Sequence, residues 1–118
     1  MANDSLAAQI GQAWRYQREG KADAAIAEYE RILKQDADNM DALYGMGLAQ
    51  RAAGKFEAAI RYFERCQELV AAAIAARGVV RGDAIHLANT PEDDRYMMLN
   101  RMIKQRLSEI NTTLQPRK

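Results

Sequence analysis

The chain has one cysteine, one histidine, one tryptophan and two prolines among its 118 residues. A single thiol, Cys66, excludes an intramolecular disulfide framework and fits a reducing compartment, so the cytoplasm is the expected location. A single histidine, His86, with Asp83 three residues before it, falls short of the three or four ligands a metal site needs. A long apolar run is also missing. The most apolar stretch, Leu69 to Ala76, is mostly alanine and far short of the roughly 20 residues that cross a bilayer, so a soluble chain is expected. Met1 to Ala8 carries Asp4 and has neither a basic start nor an apolar core, so it does not read as a secretory signal. Net charge is nearly absent too, at a formal +1, which gives no strong field for drawing in nucleic acid or an acidic membrane. No glycine-rich phosphate loop, metal-ligand spacing or nucleophile motif occurs, so catalytic residues, cofactors and metal are expected to be none and an enzyme is not the reading.

What is present favours helix. The chain is 48% apolar and 28% charged, rich in alanine with Glu, Lys, Arg and Gln, and its longest β-branched run is Val79-Val80. These proportions predict an all-α fold without sheet, and the length fits one domain, residues 1–118.

The strongest signal is an internal repeat. Residues 6–39 and 40–73 align at an offset of 34 without a gap, and ten of the 34 pairs are identical. Gly20-Lys21-Ala22-Asp23-Ala24-Ala25-Ile26 stands against Gly54-Lys55-Phe56-Glu57-Ala58-Ala59-Ile60, and Tyr29-Glu30-Arg31 against Phe63-Glu64-Arg65. Each unit reads as two helices joined by a tight turn at Gly20 or Gly54, where glycine suits the left-handed conformation that ends helices. Ala25, Ile26, Tyr29, Ile32 and Leu33, and again Ala59, Ile60, Phe63 and Cys66, recur at spacings of three and four, so one face of each second helix is expected to be buried.

The period, the hairpin unit and these offsets resemble tetratricopeptide repeats. The second unit follows the pattern closely, with Leu43, Met46, Gly47, Gly54, Ala59 and Phe63; the first departs, with Gln9 and Gln12 at apolar positions, while Ala13, Tyr16, Gly20, Ala25 and Tyr29 fit. Small residues at Gly47 and Ala59 let the helices of a hairpin approach closely. The resemblance implies a right-handed helix-turn-helix stack, a fragment of an α-solenoid with about five helices, whose first helices line a concave groove for a partner peptide or helix. The groove positions it implies are Ala7, Ile10, Trp14 and Gln17 in the first repeat and Asp41, Tyr44, Leu48 and Arg51 in the second. Some relatives clamp carboxylates with lysine and asparagines; Ile10, Trp14 and Gly45 occupy those positions here, so that mode is disfavoured.

Two repeats seldom suffice alone. The expectation for residues 74–118 is an extension, with the second repeat's last helix stopping near Gly78, and then a closing helix begun by Thr90 as N-cap and Pro91. Its apolar positions Met98, Leu99, Met102, Ile103, Leu107, Ile110 and Leu114 form one broad stripe. That helix either fills the groove, making Trp14 and Tyr44 ordinary core, or serves a homo-oligomer. The functional expectation is a protein-interaction module or small scaffold; a self-assembling unit is the alternative. Contact with nucleic acid or an acidic surface through Arg95, Arg101, Lys104, Arg106, Arg117 and Lys118 is the weaker rival, because such residues usually make a solvated helix face. Cys66, inside an apolar stripe, reads as inert packing, and Glu92, Asp93 and Asp94 as charges that favour a helix N-terminus.

Overall fold

A computed structural model describes residues 2–81 and 91–114, and over them the chain is all helix: α1 (Ala2–Arg18), α2 (Ala22–Gln35), α3 (Met40–Ala52), α4 (Phe56–Arg81) and α5 (Pro91–Leu114). No strand occurs among the described residues. Thr90, Asp83, His86, Arg117 and Lys118 lie outside them. The chain divides into two compact units, residues 1–63 and 64–118, with the boundary inside α4.

In the first unit the two hairpin turns are built alike. The backbone N–H of Gly20 donates to Gln17 O (3.0 Å) and that of Lys21 to Tyr16 O (2.8 Å); 34 residues later Gly54 donates to Arg51 O (2.9 Å) and Lys55 to Gln50 O (2.8 Å). This pair of bonds satisfies carbonyls that a helix end would otherwise leave open, and it requires a left-handed residue, which both glycines supply at φ 79° and 80°. Between α2 and α3, Asn39 caps the helix: its side chain accepts from Ala42 N at 2.9 Å and donates to Asp36 at 3.3 Å. Short turns make α1 and α2 antiparallel, and α2 and α3 likewise, so α1 and α3 run in one direction.

The predicted faces are the ones buried. Ala25, Tyr29 and Ile32 of α2 and Ala59 and Phe63 of α4 have no exposed surface, and Ile26 very little. α3 differs from the other helices because Ala42 to Gly47 are buried in succession, followed by Ala49 and Gln50. It is enclosed on most sides rather than on one stripe.

The second unit holds the rest of α4 and α5. Cys66, which forms no disulfide, and Val70, Ile103 and Ile110 are fully buried. α4 does not stop near Gly78 but continues to Arg81. A glycine inside a helix costs only about 1 kcal/mol relative to alanine, so without a left-handed turn it is tolerated. α5 begins at Pro91 as expected, but its stripe is narrower than the sequence suggests. Leu99 and Leu107 are half-buried beside Ile103 and Ile110, whereas Met98, Met102 and Leu114 are 59%, 38% and 47% exposed. Met98 and Met102 each precede a covered residue by one position, a turn of about 100° around the helix axis.

Candidate functional site

α1 and α3 bring the groove candidates onto one unit. Repeat equivalence pairs Ala7 with Asp41, Ile10 with Tyr44, Trp14 with Leu48 and Gln17 with Arg51. Ile10, Trp14, Gln17, Leu48 and Arg51 are half-buried, and Ala7 and Asp41 are exposed. Tyr44 is covered to 7% exposure, and its ring meets that of Phe63 with centroids 5.5 Å apart at 56°. It therefore holds the α3–α4 hairpin together and offers a partner little surface. Ile10 also packs against the core around Ala13, Ala25 and Tyr29, and Trp14 and Leu48 are the other large apolar side chains of the set that are not fully buried.

Gln17 has a second task. The Tyr29 hydroxyl on α2 donates to Gln17 Oε1 on α1 at 2.5 Å, which fixes the amide at the junction of the two repeats. Burial pushes the Tyr29 hydroxyl well above its ordinary pKa of 10.0, and the nearby negative charge of Asp41 pushes it further in the same direction. Tyr29 is therefore a neutral donor at any physiological pH.

The packing residues read from the repeat show why small side chains are needed. A Cβ on Gly47 would lie 2.5 Å from the Phe63 ring, closer than carbon atoms can stand. Ala59 is fully buried on the same hairpin. Gly45, which in the sequence only lacks a clamp side chain, does comparable work between repeats: a Cβ there would overlap the ring and hydroxyl of Tyr29. The available signal was the identity of Gly11 and Gly45 at the 34-residue offset. It is incomplete as a signal, because a Cβ on Gly11 meets nothing within 4 Å.

Two features were not legible in the pattern. Gln50 is 6% exposed; its Nε2 approaches Met46 Sδ at 3.6 Å, and its buried Oε1 has no hydrogen-bond donor. A hollow of about 320 Å³ lies between the second helices, lined by Glu30, Leu33, Lys34 and Tyr62. Among the described residues no group of three or more His, Cys, Asp or Glu side chains is placed to hold a metal, and no helix is long and apolar enough to cross a membrane.

Comparison with known families agrees with the hairpin geometry. The tetratricopeptide repeat model matches residues 41–70, which cover α3 and the first half of α4. No curated protein matches the chain. Residues 6–39 join the second repeat through the ten identities and the duplicated turn.

Proposed function

We propose that this helical repeat protein of the tetratricopeptide type holds a peptide or helix of another protein against the first helices of its two repeats, with Trp14 and Leu48 as the apolar contacts. The repeat suggests a protein-interaction scaffold in general. The observation that carries the finer reading is that Trp14 and Leu48 occupy equivalent positions on α1 and α3 and neither is fully buried. A large aromatic beside an aliphatic residue is the type of anchor around which interfaces concentrate their binding energy. Asp41 and Arg51, of opposite sign, stand at the two ends of the α3 row and set polarity there. Gln17, fixed by Tyr29, keeps its amide NH2 for a backbone carbonyl.

The test starts with Trp14, the only tryptophan. A red emission maximum, readily quenched by acrylamide, is expected of an accessible groove. Affinity capture is then compared between the wild type and a Trp14→Ala/Leu48→Ala variant, with circular dichroism to verify folding. Polypeptides retained by the wild type and lost by the folded variant support the reading; an unchanged set refutes it. Blue, protected emission together with concentration-dependent mass would instead place another copy of the chain in the groove. Tyr44 is unsuitable for this test because its ring supports the hairpin.

A further inference from the structure

The uncovered edge of α5 is a second candidate surface, in the unit of residues 64–118 and independent of the groove. Met98 and Met102 lie one turn apart and are both exposed. Three exposed cations flank them, Arg95, Arg101 and Lys104; among the acids whose side chains are described, Asp94 lies on the same stretch and Glu109 two turns beyond Met102. Among the residues whose side chains are described, none of the three has an ion-pair partner, whereas Arg106 on the same helix is engaged with Glu109 at 3.2 Å. Two hollows adjoin the ridge and share Met97 and Arg101. One, of about 290 Å³, reaches Ile74 of α4 and Lys104; the other, of about 320 Å³, reaches Asp94 and Met98.

We propose that this edge docks an acidic amphipathic helix of a partner protein, its apolar side chains entering the hollows beside Met97 and its carboxylates meeting Arg101 and Lys104. The charge decides the occupant. A second copy paired antiparallel would offer Arg101 and Lys104 only Asp94 on the same stretch among the acids whose side chains are described, fewer carboxylates than an acidic helix supplies. Nucleic acid would use the cations but gain nothing from two exposed methionines, and among the described residues of α5 the only aromatic available for base stacking is Tyr96. A lipid surface calls for a broad apolar face with large anchoring residues, and two methionines are a narrow one. Methionine is unbranched and polarizable, so it adapts to the side chains of a helix laid across it.

The probe is a labelled synthetic helix with leucines at positions i, i+3, i+4 and i+7 flanked by glutamates, titrated into the full chain by fluorescence anisotropy. A matching peptide with lysines in place of the glutamates is the control. Saturable binding of the acidic peptide that weakens with salt is expected. Both Met98→Ser/Met102→Ser and Arg101→Glu/Lys104→Glu should weaken it by about tenfold or more, and the charge reversal should transfer preference to the lysine peptide. All four positions are exposed or at a helix surface, and circular dichroism verifies that the variants fold. Failure of the acidic peptide to bind, or binding that either pair of substitutions leaves intact, overturns the proposal. So does self-association that Met98→Ser/Met102→Ser abolishes, which would assign the edge to a second copy. Tighter binding to phosphatidylserine vesicles or to duplex DNA, lost on charge reversal but indifferent to the methionines, would assign it to an anionic surface and overturn the proposal as well.

Discussion

The two repeats share a turn and differ in enclosure. The hydrogen bonds around Gly20 recur around Gly54 with the same partners 34 residues on, yet α1 has only Ala13 fully buried among its described side chains, while α3 is enclosed on most sides. The glycines make the contrast sharpest. Gly11 and Gly45 are equivalent and identical, but Tyr29 of the preceding helix leans on Gly45 and nothing leans on Gly11. A repeat thus carries the same residue into two environments, and only the neighbour decides whether it matters.

The comparison can be broken by substitution and denaturant unfolding. The largest difference should appear at the equivalent glycines: Gly45→Ala is expected to cost about 1–3 kcal/mol, because the buried Tyr29 ring has to move. Gly20→Ala and Gly54→Ala should cost nearly equal amounts, about 1–2 kcal/mol each, since both hold the same left-handed backbone. Unequal costs there would show that the turns are alike in geometry but not in tension. Tyr29→Phe should lose about 1 kcal/mol with the hydrogen bond to Gln17. It also has a pH signature. A hydroxyl whose pKa is raised by folding contributes stability that is fully present below its unfolded value of 10.0 and lost as pH rises above it. Wild type should therefore weaken above pH 10.0 more steeply than Tyr29→Phe, and parallel curves would contradict the buried-donor assignment. The smallest effect has the opposite sign: Gly11→Ala should stabilise by about 0.5–1 kcal/mol, the ordinary gain of alanine over glycine in an exposed helix. A loss at Gly11 would mean that another surface covers α1 in solution.

Much of the fold was legible because it is local. The left-handed turns, the start of α5 at Pro91 and the buried faces of α2 and α4 follow from glycine placement, proline placement and a period near 3.6, all properties of short windows. The continuation of α4 past Gly78 to Arg81 has the same origin. A glycine announces that a turn is permitted, whereas whether the chain turns depends on what packs beyond it. The groove was legible as a set of positions on α1 and α3, but not in its division of labour. Tyr44 and Trp14 are both aromatic groove positions in the sequence, and packing assigns Tyr44 to Phe63.

The sequence by itself determined the helices, their turns and the duplicated hairpin, since backbone conformation and periodicity act over a few residues. The tertiary structure decided which edge of each apolar stripe is covered: why Gly45 must be small and Gly11 need not be, why Gln17 answers to Tyr29, and why Ile103 is buried while Met98 and Met102 are exposed. Burial is a property of residues distant in the chain meeting in space, and a period of 3.6 says that a face will be apolar without saying how much of it finds a partner.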